Sequence, residues 1–397
     1  MSKARALFVD DEPRILDGLR RSLRGKRGEW EMAFVSDGAE ALELLAQQPY
    51  DVVVSDMRMP GMDGAELLTN VSRRHPEVAR VVLSGHIEPA AAIQVAVAGH
   101  RFLTKPSDAE SLIAVIEQLL VRTSSAHQNE ARRLAGGVRA IPTLPEHTGG
   151  IVNLLAPDAN LSYAVQTAMH DIGLTAKLLQ LSNSRFFGSR PRNSSVESIV
   201  NAMGVPMVQA VAGAAHVLRP TSPWGPAIEQ ELRSSWRHAV ATACLVEIVA
   251  SPANRPHAQA AALLQDVGRL VCLAAVGDEQ GSGVDLGAET RNGVPFRDVG
   301  VELLHLWGLP APIVVAVAQR DAAQPPELSG LGVAAAVRTA HLLIQGTESA
   351  YPAVGGHEEE LAQLMAHPQL RAQAVDWHRA AEEASARAAL WHTIVRH

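Results

Sequence analysis

The run Val52-Val53-Val54-Ser55-Asp56, followed at once by Met57-Arg58-Met59-Pro60-Gly61-Met62-Asp63-Gly64, constrains this chain more than any other stretch. Three β-branched residues in succession predict a buried strand. The strand stops at an aspartate, and a Pro-Gly turn comes next. Asp56 therefore stands at the carboxyl end of a strand, where open α/β sheets put their chemistry. An aspartate in that place more often only caps the following loop, so its company decides the matter.

That company consists of other strand ends. Ala6-Leu7-Phe8-Val9 is a short apolar strand ending in Asp10-Asp11-Glu12. Val81-Val82-Leu83 ends in Ser84-Gly85, and Arg101-Phe102-Leu103-Thr104 ends in Lys105-Pro106. Carboxylates from two strands converge only if the strands are neighbours in a parallel sheet, and they repel unless a cation sits between them. Hard oxygen ligands on flexible loops suit Mg²⁺. Asp10, Asp11, Asp56, Ser84 and Lys105 together offer a carboxylate nucleophile, a metal site, a hydroxyl and an ammonium. Phosphoryl transfer onto an aspartate needs that set. Helical patterns lie between the strands: Ile15, Leu16, Leu19 and Leu23; Ala41, Leu42, Leu44 and Leu45; Leu67, Leu68 and Val71; Ile93, Val95 and Val97. The alternation predicts an α/β doubly wound, five-stranded parallel sheet. Lys105-Pro106 is a candidate cis peptide.

The motifs VDDEP, SDMRMPGMDG, LSG and FLTKP occur in the order and at spacings of one family. Residues 3 to 122 resemble the receiver domain of two-component response regulators. The resemblance implies that Asp56 is the phosphoacceptor, charged by a sensor histidine kinase. It implies that Asp11, Asp56 and the Arg58 backbone carbonyl hold Mg²⁺, with Asp10 acting through water. Ser84 and Lys105 would bind phosphoryl oxygens, and Phe102 stands at the switch aromatic. The face made by the fourth helix, fifth strand and fifth helix of the receiver would then change.

The length of 397 residues suggests two or three domains. With 4% aromatics and plentiful Ala and Leu, helices are favoured over sandwiches. A net charge of −7 gives no global field that attracts nucleic acid or anionic lipid. Cys244 and Cys272 lie in apolar runs and read as reduced core thiols. Met1 to Arg5 leads straight into the first strand, leaving no room for a signal peptide. No uncharged run reaches the roughly 18 apolar residues of a membrane span. The expected compartment is the cytoplasm.

Asp108 is a good N-cap for the last receiver helix, whose apolar face runs through Leu112, Val115, Ile116, Leu119 and Leu120. The receiver is thus assigned residues 1–122 and a polar linker 123–138. Both a solvated connector and a helical extension able to pair with a second copy in a homodimer fit that linker. From Ile141 onward one helical pattern succeeds another. Leu178 to Gly188, Ser198-Ile199, Ala202-Met203-Gly204, Trp236-Arg237-His238 and Trp307-Gly308-Leu309-Pro310 resemble the HDOD domain, a catalytically degenerate relative of the HD phosphohydrolases. An all-α HDOD output domain is assigned 139–345, with a helical extension over 346–397 carrying patterns at 357–366 and 369–396.

Two stretches of this half mimic other functions. His170-Asp171 spells an HD metal motif but stands at a helix boundary. Ser198 to Ala215 looks like a helix-turn-helix, yet between Pro206 and Val217 it carries only Gln209 and no Lys or Arg to touch phosphate or base. Direct DNA binding is not expected. By resemblance the metal core falls on His238, Gln265-Asp266, Phe296, Gln319-Arg320 and His341. Two surviving ligands, His238 and Asp266, rarely hold a catalytic metal, and a buried hydrogen-bonded pair tying helices together is the favoured reading. No catalytic residue and no cofactor are expected in this half. Arg320 leaves a nucleotide-binding role without turnover open. The chain thus reads as a response regulator whose HDOD domain acts through contacts with a partner protein, the alternative being a phosphohydrolase or cyclic-dinucleotide phosphodiesterase output.

Overall fold

The computed structural model describes residues 3–85, 99–105, 108–120, 125–138, 141, 148–183, 195–213, 226–274, 284–285, 289–321, 331–347 and 357–394. They form two compact units. The first comprises Met1–Arg139 with Gln180–Pro191 and Glu302–Gly308; the second comprises Ala140–Leu179, Arg192–Val301 and Leu309–His397.

In the first unit the five expected strands form one parallel sheet. They are β1 (Ala4–Val9), β2 (Trp30–Val35), β3 (Val52–Asp56), β4 (Ala79–Ser84) and β5 (Arg101–Thr104), in the order β2-β1-β3-β4-β5. Every neighbouring pair is parallel. The order reverses between β1 and β3, so the crevice of a doubly wound sheet opens at the ends of those two strands. Leu7, Phe8, Val53, Val54 and Val81 are buried, which is why the central strands read as unbroken apolar runs. Helices Gly38–Gln47, Gly64–Arg74 and Ala109–Leu119 start at Asp37, Asp63 and Asp108, whose carboxylates each accept a backbone N–H three residues on. The fourth helical pattern, around Ile93, Val95 and Val97, and Pro106 lie outside the described residues.

The stretch read as a polar linker is a helix, Ala126–Gly136, that belongs to this unit. Its small residues Ala131, Ala135 and Gly136 are buried, and a Cβ on Gly136 would lie 1.8 Å from the Pro76 carbonyl oxygen. Arg132 donates to the carbonyls of Glu77 and Leu119. Arg80, only 1% exposed, donates to the Gly136 carbonyl at 2.8 Å. A solvated connector is therefore not what forms: close backbone approach and arginine stems dock a helix with few apolar side chains. In the same unit Arg101 donates to the carbonyls of Leu306 (2.8 Å) and His305 (2.7 Å), which end the helix Phe296–Trp307. The guanidinium satisfies carbonyls that a helix C-terminus leaves without partners.

The second unit is mostly helical. Its long helix Pro226–Val249 packs against Arg255–Leu264, Val333–Gln345 and Trp377–Ile394. The helices Val196–Met203 and Val205–Gly213 meet at Gly204, whose φ of +76° suits glycine. Val208, Val211 and Ala212 are buried, so the apolar stretch that mimics a DNA-reading helix lies in the core.

The second half is mostly helical, as expected, and adds a small antiparallel sheet of Val284–Asp285, Thr290–Arg291 and Val294–Pro295. Its second hairpin turns at Asn292-Gly293, both with positive φ, the pairing that a two-residue hairpin loop prefers. The pattern over 369–396 is not one helix. It splits into Pro368–Arg371 and Trp377–Ile394, with Ala374 between them at φ +50°. Cys272 is buried and Cys244 half-buried, both free, and burial pushes their thiols up to about 12 and about 11. Among the described residues no helix is long and apolar enough to cross a membrane.

Candidate functional site

The parallel pairing of β1 with β3 brings Asp10, Asp11 and Asp56 together, with one ligand oxygen from each lying within 4.8 Å of the others. Asp10 and Asp56 are buried and Asp11 is half-buried. Asp10 accepts the Glu12 N–H at 3.0 Å, and Asp56 accepts the Arg58 N–H at 3.2 Å, so the main chain at Arg58 lies against the Asp56 carboxylate. Gly64 is the reason the following helix can sit so close. A Cβ there would be 2.0 Å from the Asp56 carbonyl oxygen, and the Gly64 N–H donates to the Met57 carbonyl at 3.0 Å.

Lys105, one residue past β5, reaches across the mouth of the crevice. Its Nζ is 2.7 Å from Asp10 Oδ2 and 2.7 Å from Asp56 Oδ1. Burial alone would depress this ammonium, but the hydrogen bonds to Asp10 and Asp56 hold its pKa above the ordinary lysine range. The Lys105 N–H donates to the carbonyl of Ser84, a buried residue at the end of β4. Phe102 lies on β5 opposite Val82 and is 3% exposed. The fold thus delivers Asp10, Asp11, Asp56, Ser84 and Lys105 to one end of the sheet. Three acidic side chains with hard oxygens fit a small divalent cation, and the ammonium beside Asp56 fits an added anion.

In the second unit His238 and Asp266 stand in a cluster with Arg320, His341 and Asp321, His238 bonding His341 and Asp266 bonding Arg320. His238 Nε2 is 2.7 Å from His341 Nδ1, and His341 Nε2 is 3.3 Å from Asp321 Oδ1. Arg320 bonds Asp266 through Nη1 and Asp321 through Nη2, the latter at 2.5 Å, and also donates to the Gln265 carbonyl at 3.1 Å. His238, Gln265, Asp266, Arg320 and His341 are all buried. Burial pushes the His341 pKa down to about 4 against the pull of Asp321. Burial would raise the Asp266 and Asp321 carboxyls, yet Arg320 holds both below the usual range. The bond between His238 Nε2 and His341 Nδ1 needs a proton on one of these nitrogens and a lone pair on the other.

Asp321 escaped the sequence reading, although it directly follows Gln319-Arg320 and gives Arg320 its second carboxylate. Gln319 contributes its carbonyl to Arg338 at 2.7 Å. Phe296 begins its helix with its carbonyl where a Cβ on Gly268 would come within 1.9 Å. His170 ends one helix, and Asp171 accepts the Leu174 N–H at 2.7 Å to start the next, so that His-Asp pair marks a helix boundary as expected.

Two family models match the chain. Residues 6–117 match the response regulator receiver domain family, and residues 141–323 match the HDOD domain family. The hydrogenase transcriptional regulatory protein HoxA of Cupriavidus necator is 40% identical over 118 residues, which are 29% of this chain and 24% of that protein. The DNA-binding transcriptional regulator NtrC of Escherichia coli is 33% identical over 137 residues, 34% of this chain and 29% of that protein. The chain therefore spans only about a quarter to three-tenths of the length of these curated relatives. A solved signal receiver domain of an HD domain-containing protein from Pseudomonas fluorescens is 30% identical, covers 30% of this chain and 95% of that one, and gives a TM-score of 0.29.

Proposed function

The chain belongs to the response regulators in which a receiver domain is followed by an HDOD domain, and on that premise we propose that phosphorylation of Asp56 by a sensor histidine kinase switches an HDOD output that works by binding a partner protein. The observation that carries this reading is the meeting of Asp10, Asp11 and Asp56 with Lys105 across them. An Asp56 oxygen attacks the phosphorus of the donor; the new O–P bond forms as the P–N bond to the kinase histidine breaks. Lys105 leaves Asp56 for the arriving phosphoryl oxygens while keeping Asp10, and the Ser84 hydroxyl takes another oxygen. Asp11, Asp56 and the Arg58 carbonyl, with Asp10 through water, would hold Mg²⁺, which supplies positive charge against the phosphoryl oxygens. Phe102 then turns into the space that Ser84 vacates. The domain limits that go with this function are a receiver over 1–122, a linker helix, and an output over 139–345 with its extension.

The HDOD half is proposed to carry out no hydrolysis, since the position between Asp266 and Asp321 is taken by the Arg320 side chain. Arg320 is neutralised there by Asp266 and Asp321, which also weighs against a nucleotide phosphate at this point. The test is direct. The chain incubated with acetyl phosphate and Mg²⁺ gains one phosphoryl mass. Asp56→Asn gains none, and Asp11→Ala gains it slowly and without dependence on Mg²⁺. Labelling of Asp56→Asn at the native rate would refute the assignment.

A further inference from the structure

Four metal-binding side chains surround one guanidinium in the second unit. Asp266 and Asp321 are bridged by Arg320, and the imidazoles of His341 and His238 follow in line from Asp321. These are hard and borderline donors of the kind that bind zinc: two carboxylates and two histidines. The two carboxylates carry −2, and Arg320 returns +1. As the cluster stands, no three of the four offer atoms within 4.8 Å of one another, since among the described residues only Asp10, Asp11 and Asp56 do so. The guanidinium spans the two carboxylates. Beside it the Gln265 side chain, 2% exposed, finds no hydrogen-bond partner for either amide atom among the described residues.

We propose that Arg320 is the resident cation of a divalent-metal site, a covalently attached stand-in that both satisfies Asp266 and Asp321 and shuts a transition metal out. Removing it leaves the buried Asp266 and the more exposed Asp321 without that counter-charge, next to two imidazoles. A zinc ion closing the gap draws the carboxylates in to Zn–O bonds of about 2.0–2.2 Å and takes the His341 and His238 nitrogens at similar lengths. Each neutral imidazole would bind through a nitrogen lone pair and keep its one proton on the other ring nitrogen.

The full chain carrying Arg320→Ala is stripped with chelator, then titrated with Zn²⁺ by calorimetry and with Co²⁺ by visible absorption. The bands of four-coordinate Co²⁺ report the ligand field. The Asp56→Asn background removes the receiver site from the count. Arg320→Ala is expected to take up one zinc per chain at least about 100-fold more tightly than the native residue allows, and Arg320→Ala/His341→Ala loses that gain. Arg320→Lys keeps a cation in place and stays as closed as the native chain. If Arg320→Ala does not fold alone, Arg320→Gln and refolding with zinc take its place, and zinc-dependent recovery of the helical signal is the expected result. Stoichiometric zinc at His238 and Asp266 of the native chain would overturn the proposal. So would folded Arg320→Ala or Arg320→Gln that bind zinc no better than native, or a failure of zinc to restore either variant.

Discussion

Lys105→Met tests how much of the receiver's stability depends on a cation across the aspartates. The native ammonium is 2.7 Å from both Asp10 and Asp56, and its side chain is 21% exposed against 1% and 11% for theirs. Breaking a buried ion pair by removing one partner costs about 3–5 kcal/mol, whereas an exposed pair contributes about 0–1 kcal/mol. With nearly dry carboxylates and a partly wet lysine, the loss falls at about 2–4 kcal/mol. Methionine keeps the stem's volume, so the change isolates the charge. The variant also raises the negative charge of the pocket, so Mg²⁺ binds it more tightly than it binds the native protein. At about 100 times its Kd, the ion returns about 2.7 kcal/mol. Urea titrations of the full chain, read by hydrogen exchange in β1 and β3 peptides with EDTA or with Mg²⁺, measure both terms. The variant should unfold at lower urea in EDTA and recover most of the difference in Mg²⁺. Equal stability in EDTA, or equal Mg²⁺ shifts in the two proteins, would refute the reasoning.

Two further outcomes are expected. The pKa of His341 is about 4 in the fold and 6.5 when free, so the unfolded chain takes up a proton that the folded chain refuses as the pH falls. This stabilisation is complete above about pH 6.5 and decays by about 3 kcal/mol toward pH 4; denaturation of the second unit across that range should show the slope, and His341→Asn should flatten it. Gly64→Ala places a Cβ 2.0 Å from the Asp56 carbonyl oxygen, so it should cost about 1–3 kcal/mol and slow acetyl phosphate labelling, as melting and mass spectrometry would record.

The receiver was legible in the sequence because its chemistry sits where periodicity ends. Each of Asp10, Asp56, Ser84 and Lys105 terminates a short apolar run, and the sheet order then decides which ends meet. The linker misled in part, since Ala126–Gly136 docks through small residues and backbone carbonyls that carry no hydrophobic signal. The Asn292-Gly293 turn was visible as a hairpin dipeptide, yet strands of two residues leave no alternation to read. In the HDOD half, His238, Asp266 and His341 could be placed from motif spacing, but their partners could not. Asp321 stands beside Arg320 in sequence, and only the helix ending at Gln319 shows that both side chains turn to one cluster. A split helix at Ala374 rests on one left-handed residue for which alanine gives no warning.

The buried contact between Arg80 and the Gly136 carbonyl bears on where this chain can be cut. A fragment ending at residue 122, where the sheet-and-helix pattern stops, would strip Arg80 of that acceptor, uncover the Pro76 carbonyl face and free the Leu119 carbonyl from Arg132. Arg80 would keep its bond to His100 Nε2 at 2.8 Å, and water would have to take the place of the Gly136 carbonyl. A receiver fragment cut after Gly136 is therefore expected to be more stable than one cut at residue 122, and the shorter one should recruit solvent, or a neighbouring molecule, to the Arg80 side chain.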